Sequence, residues 1–131
     1  MLTALNHVNI FSDRLDETVA FYSRVLGMVP GWTPDFPVRV QWLYVGDQAL
    51  VHVVEMNEAR SVANVAVDHY AFTVTDFDDT LRRLDAAECP YTLLEMYEQR
   101  IRQAFITDPN GVRIELNWRD PAFRPELANR E

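Results

Sequence analysis

Residues 5–13 read Leu-Asn-His-Val-Asn-Ile-Phe-Ser-Asp, and residues 67–76 read Val-Asp-His-Tyr-Ala-Phe-Thr-Val-Thr-Asp. Each places a histidine third, behind Asn6 or Asp68, continues as an apolar run of strand formers, and ends on an aspartate suited to a helix N-cap. Asp16 then corresponds to Asp78, and Thr18 to Thr80. Working outward from the first copy, residues 2–11 predict a strand and Asp13 an N-cap. Leu15, Val19, Tyr22 and Leu26 recur at helical spacing until Gly27 offers a stop. Residues 28–32, 38–45 and 49–55 predict three more strands, with Gly46-Asp47-Gln48 as a tight turn between the last two. Beyond a polar linker at 56–65, the same order returns. A strand is expected at 67–75, an N-cap at Asp76, and a helix carrying Phe77, Leu81 and Leu84 that ends near Pro90. Strands follow at 91–96, 102–107 and 112–118, the last two joined by the turn Asp108-Pro109-Asn110-Gly111. Element order therefore predicts an α+β fold made by duplicating a βαβββ unit. Module 1 spans 2–55 and module 2 spans 66–118. Residues 119–131 form a charged, proline-containing tail or an arm onto a partner subunit.

A chain of 131 residues has the length of one domain, enough to bury roughly two thirds of the surface exposed when unfolded. With 48% hydrophobic and 24% charged residues, neither disorder nor a membrane span is expected. The start, MLTALNHVNIF, lacks the basic-then-apolar pattern of a secretory signal. The single cysteine, Cys89, can form no internal disulfide, which places the protein in the reducing cytoplasm. A formal charge of −8 with no visible basic patch argues against nucleic acid and anionic membranes as partners. All 12 cationic residues are arginine, so no lysine is present to form a Schiff base.

Histidine is the scarce residue, and its positions carry information. His7 and His69 lie 62 residues apart; His52 and Glu115 lie 63 apart. Two repeat-equivalent positions, one on each module's first strand and one on its last, thus hold all three histidines and a glutamate set among Val112, Ile114 and Leu116. Modules related by a pseudo-two-fold axis would bring these strands into one curved sheet, where imidazole and carboxylate suit a divalent first-row metal. A carboxylate in an apolar strand is costly to bury unpaired, and a metal removes that cost. A lone histidine in a strand is ordinarily a core or surface residue; the joint pattern is what points to ligands.

The segments LNHVNIFSD, AFYSRVLGM, ALVHVVE, VDHYAFTVTD and DPNGVRIELNW resemble the vicinal oxygen chelate superfamily, across nearly the whole chain. That superfamily includes glyoxalase I, fosfomycin resistance proteins, methylmalonyl-CoA epimerase, extradiol dioxygenases and bleomycin resistance proteins. The resemblance implies two βαβββ modules forming a cup-shaped, partly open mixed β-sheet barrel, with metal ligands from the first and last strands of each. His7, His69 and Glu115 then match the ligand positions of the metal-dependent branches. His52 stands where glyoxalase I usually carries a glutamate and the epimerase a glutamine. With one carboxylate left, Glu115 or His52 would serve as base.

Two mechanisms follow from the resemblance. As a lyase or isomerase, the protein would use four ligands, His7, His52, His69 and Glu115, to hold a metal that binds adjacent substrate oxygens and stabilises an enediolate. As an extradiol-type dioxygenase, it would hold Fe(II) by His7, His69 and Glu115, with His52 an acid/base beside the metal. One divalent ion per site, Fe2+, Ni2+, Zn2+ or Mn2+, serves either. Bleomycin resistance proteins instead use the cup to sequester a ligand without metal, and generally lack this ligand set. Short two-module members commonly complete the cup with modules from two chains, which implies a homodimer binding a small-molecule substrate.

Trp42, Tyr44, Tyr97, Phe105 and Trp118 are the aromatics expected to line such a cup, although strand aromatics are more often plain core. Arg100, Arg102 and Gln103 precede or enter a strand bordering the cleft, where an arginine would grip a carboxylate or phosphate and a solvated edge is the bland alternative. Cys89 beside Pro90 reads as structural, and no serine has the context of a nucleophile elbow.

Overall fold

The computed structural model describes residues 1–60 and 65–123. The chain divides into two compact units, Met1–Ala66 with Asp108–Val112, and Val67–Thr107 with Arg113–Glu131. The middle of the expected linker and residues 124–131 of the expected tail lie outside the described residues.

The first unit runs β1 (Val8–Ser12), α1 (Leu15–Leu26), β2 (Val29–Pro30), β3 (Val40–Val45) and β4 (Gln48–Glu55). Its sheet has the order β1-β4-β3-β2, with β1 parallel to β4 and the other pairs antiparallel. Strand alternation sends Ile10, Leu43, Val51 and Val53 to a buried face, where Leu15, Tyr22 and Val25 of α1 are also buried. Each such side chain contributes about 1.5–3 kcal/mol of transfer free energy. Gly27 ends α1 in the left-handed region at φ 69°; its N–H donates to the Ser23 carbonyl, the bond of an αL cap, and the N–H of Met28 donates to the Tyr22 carbonyl. Gly46 (φ 60°) turns β3 into β4.

Three local expectations for this unit are corrected. The first strand starts at Val8 rather than residue 2, because residues 2–7 find no ladder partner and stand exposed. The stretch 28–32 forms a strand of only two residues, Val29–Pro30. Asp13 does not cap α1: its carboxylate pairs with Arg14 Nε at 3.1 Å, while Ser12 Oγ accepts from the Arg14 N–H. Ser12 also donates to Asn110 at 2.6 Å and contacts the Thr18 hydroxyl. The turn residues 108–112 belong to this unit and are tied by side chains. Tyr22, 0% exposed, donates its hydroxyl to Asp108 Oδ2 at 3.0 Å, and Asp108 Oδ1 accepts from the N–H groups of Asn110 and Val112.

The second unit repeats the plan with β5 (Tyr70–Thr73), α2 (Phe77–Ala86), β6 (Thr92–Met96), β7 (Ile101–Thr107) and β8 (Arg113–Arg119). Its order is β5-β8-β7-β6, again with the first and last strands parallel. Identical topology in both halves establishes two βαβββ modules, each with a mixed four-stranded sheet. Asp76 caps α2 as expected, accepting from the Asp79 N–H at 2.9 Å. Ala104, Ile106, Ile114 and Leu116 form the buried sheet face, and Phe77 and Leu84 are the buried residues of α2. Among the described residues no helix is long and apolar enough to cross a membrane.

Candidate metal-ligand pairs

Strand register places the chemistry on the second face of each sheet, away from its buried apolar rows. In the first unit Asn9, His52 and Trp42 stand side by side across β1, β4 and β3. In the second, Ala71, Glu115 and Phe105 occupy the same three places across β5, β8 and β7. Trp42 and Phe105, 63 residues apart in sequence, are therefore as equivalent as His52 and Glu115. His7 and His69 lie immediately before β1 and β5 rather than within them, a correction to their expected strand positions. Two residues before Asn9 and Ala71, they share the face of those residues, and their rings reach His52 and Glu115 on the neighbouring strands.

Glu115 is 8% exposed although its neighbours Ile114 and Leu116 point to the opposite, apolar face. Its oxygens are oriented by amides: Gln103 Nε2 donates to Oε1 at 3.0 Å and Asn117 Nδ2 to Oε2 at 3.1 Å. His69 completes the surroundings, with Nε2 3.5 Å from Glu115 Oε1. The other ring nitrogen, Nδ1, donates to Asp68 Oδ2 at 2.6 Å. In the neutral ring Nε2 then carries the lone pair, and two electron-pair donors face each other. A cation between them resolves that opposition. Their separation also fits a shared ion, since two ligands about 2.1 Å from a tetrahedral centre lie about 3.4 Å apart.

The other pair is arranged differently. His7 Nδ1 contacts Asn6 Oδ1 at 2.7 Å, which again leaves Nε2 with the lone pair. His52 Nε2 donates to the Ala49 carbonyl at 3.2 Å, leaving Nδ1 as acceptor. The rings of His7 and His52 stack at 3.9 Å and 18°, and Trp42 covers the other side of His52 at 4.1 Å and 5°. Lone pairs lie in the ring plane, so two stacked imidazoles do not converge on one ion unless one of them turns. Burial, and secondarily the nearby His7, lower the His52 pKa and keep its ring neutral near pH 7; the Ala49 carbonyl acts weakly the other way. A cleft of about 730 Å³ opens here, lined by residues 3–7, Trp42, residues 47–49 and His52.

The structure thus gathers the four expected ligands as two pairs. Among the described residues no three His, Cys, Asp or Glu side chains cluster into a ready-made metal site. Of the expected substrate contacts, Trp42, Phe105 and Gln103 lie on the faces bearing His52 and Glu115. Arg102 and Trp118 are register partners on the opposite face of the second sheet. The Arg102 guanidinium is held by Glu95 at 2.9 Å and Asp78 at 3.0 Å, and lies over the Phe77 ring, which ties α2 to β7. Tyr97 stands exposed beyond β6 and donates to Glu95. Tyr44 packs against Gly31 and donates to the Trp32 carbonyl. Arg100 pairs with Asp120. Sequence reasoning assigned no role to Asn6 and Asp68, although both carry an acceptor oxygen at the same place before a histidine.

Comparison with known proteins bears on the fold that carries these residues. The curated Arabidopsis thaliana protein "Glyoxylase I 4" is 28% identical over 123 residues, covering 88% of this chain and 70% of that one. A glyoxylase/bleomycin resistance protein/dioxygenase domain from Frankia sp. EAN1pec superposes with a TM-score of 0.76 at 17% identity, over 94% of this chain and 96% of that one. Lactoylglutathione lyase from Agrobacterium tumefaciens gives 0.68 at 21%, over 89% and 94%. The duplicated βαβββ topology, these likenesses and a family model matching residues 4–116 together make the chain a member of the Glyoxalase/Bleomycin resistance protein/Dioxygenase superfamily.

Proposed function

We propose that the protein is a divalent-metal-dependent enzyme of the vicinal oxygen chelate type, a glyoxalase-like lyase or isomerase acting on a small substrate that offers adjacent oxygens to the metal. The observation that carries the proposal is the 3.5 Å approach of His69 Nε2 to the Glu115 carboxylate. His7, with its Nε2 also left as acceptor, is the third ligand. A bound Fe2+, Ni2+, Zn2+ or Mn2+ would polarise the substrate oxygens and acidify the adjoining C–H.

The chain's own residues supply the rest. His52, neutral and with Nδ1 unprotonated, accepts the substrate proton at that nitrogen. Its stacking with His7 favours this role over that of a fourth ligand. Gln103 and Asn117 keep the Glu115 oxygens oriented, while Trp42 and Phe105 present apolar faces to the substrate. The names carried by the Arabidopsis and Agrobacterium relatives support proton-transfer chemistry.

An Fe(II) extradiol-type dioxygenase is the second proposal, favoured by the same stack, because it leaves two histidines and one carboxylate as ligands. The working unit is proposed to be a cytoplasmic homodimer. Metal analysis of protein purified without chelator, then reloaded with each of the four ions, is expected to give about one ion per chain. No metal above background would overturn both proposals in favour of a metal-free, ligand-sequestering protein. Oxygen uptake with a catechol on the Fe(II) form would select the dioxygenase. A monomer carrying full metal in sedimentation would overturn the dimer.

A further inference from the structure

The residue before each candidate ligand histidine contacts that histidine's Nδ1. In the first unit the partner is the neutral amide of Asn6, at 2.7 Å; in the second it is the carboxylate of Asp68, at 2.6 Å. Among the described residues, only the second is built into a closed ring of contacts. Arg113 Nη1 donates to the same Asp68 oxygen at 2.8 Å, the Arg113 guanidinium lies 4.1 Å over the Phe105 ring, and Phe105 meets the His69 ring edge-on at 5.5 Å. Asp68 and Arg113 are largely exposed, and an isolated ion pair at such a place is worth little. Here the pair sits in a loop of four side chains that returns to the imidazole, so its consequence is orientation.

We propose that Asp68, braced by Arg113, is a positioning residue that locks His69 in the Nδ1–H tautomer with Nε2 directed at Glu115, and that Asn6 sets the same tautomer in His7 through a weaker, neutral contact. The alternative, Nε2–H, would place a proton between His69 and Glu115, where a hydrogen bond would block the ligand position. A carboxylate at Nδ1 makes the opposite nitrogen the better electron-pair donor and fixes its direction. Asp68 and Asn6 thereby make the two repeat-equivalent histidines unequal, His69 the firmer ligand and His7 the more readily displaced.

The tautomer assignment stands on the metal-free chain, whereas its effect on affinity rests on the proposed metal function; the test separates the two. Long-range 1H–15N NMR of the metal-free full chain is expected to show His69 as the Nδ1–H tautomer in the wild type and as a mixture in Asp68→Ala. Asp68→Asn, which keeps an acceptor, should restore the tautomer, and Arg113→Met should loosen it if Asp68→Ala fails to fold. An Nε2–H tautomer in the wild type, or no change across these variants, would overturn the proposal. Competition of Zn2+ or Ni2+ against a chromophoric chelator should show affinity about 10–100-fold weaker in Asp68→Ala and a smaller loss in Asn6→Ala. Equal affinities would overturn the positioning role. Absence of binding by the wild type would sink the metal function and leave the tautomer to be judged by NMR alone.

Discussion

Trp42 and His52 are register partners across β3 and β4, with rings 4.1 Å apart and 5° from parallel. The indole covers one face of the imidazole and removes water from it, which contributes to the burial that holds the ring neutral. In Trp42→Ala the His52 pKa is expected to rise toward its ordinary value of 6.5, read by NMR titration of the ring protons. The same variant should lose about 2 kcal/mol of stability in urea from lost apolar burial. An unchanged titration would mean that the backbone around Ala49, not the indole, desolvates the ring.

The depressed His52 pKa also gives stability a pH dependence. Unfolded, the ring takes its proton near 6.5, whereas the folded ring resists it to lower pH. Its contribution is therefore full above 6.5 and is lost as pH falls through the folded value, because the unfolded chain binds more protons between the two. Urea midpoints of wild type and His52→Gln, followed downward from pH 7.5, should converge. Parallel curves would show that His52 titrates alike in both states.

Glu115→Gln keeps the shape and an acceptor oxygen but removes the charge that faces His69. Metal affinity should fall by at least about 100-fold in calorimetry, by analogy with the loss of a charged ligand, while the circular dichroism spectrum stays that of the wild type. His7→Ala should also weaken binding. Retention of full affinity by either variant would show that a ligand has been misassigned.

Tyr22→Phe removes the buried hydroxyl donor to Asp108 and should cost about 1–3 kcal/mol, since the acceptor is charged. Asp108→Ala should cost more, because the N–H groups of Asn110 and Val112 lose their acceptor too. Urea unfolding reads both changes. Neither is expected to alter metal stoichiometry.

Gly31 and Gly46 are required for different reasons. A Cβ at Gly31 would lie 2.7 Å from two atoms of the Tyr44 ring, whereas one at Gly46 meets open space but sits at φ +60°. Gly31→Ala should therefore be relieved by Tyr44→Ala in a double-mutant cycle, and Gly46→Ala should not. Gly46→Ala is expected to cost about 1–2 kcal/mol of backbone strain in thermal unfolding whatever its neighbours.

The strands and helices were legible wherever an apolar period was closed by a strong stop. α1 ends at Gly27 because that residue takes the left-handed conformation the αL cap needs, and Asp76 caps α2 as its type and place suggested. Strand starts were less legible. Residues 2–7 include Leu2, Ala4 and Leu5, yet ladder pairing, not hydrophobicity alone, decides where a strand begins, and the pairing with β4 starts at Val8. Asp13 has the right type for a cap, but Arg14 takes its carboxylate and Ser12 takes the backbone N–H instead.

Sequence by itself determined the duplication and singled out His7, His52, His69 and Glu115 as candidates, because a fixed offset of scarce side chains survives without knowledge of contacts. Only the tertiary structure decided what those residues do with their lone pairs. Strand register put Trp42 against His52 and Phe105 beside Glu115, and turned Arg102 and Trp118 to the other face. Hydrogen bonds that the rings donate to the oxygens of Asn6, Asp68 and Ala49 leave the other nitrogen of each ring as the acceptor. A residue's type fixes the donors and acceptors it owns, but their direction is set by neighbours that are distant in sequence or lie across a sheet.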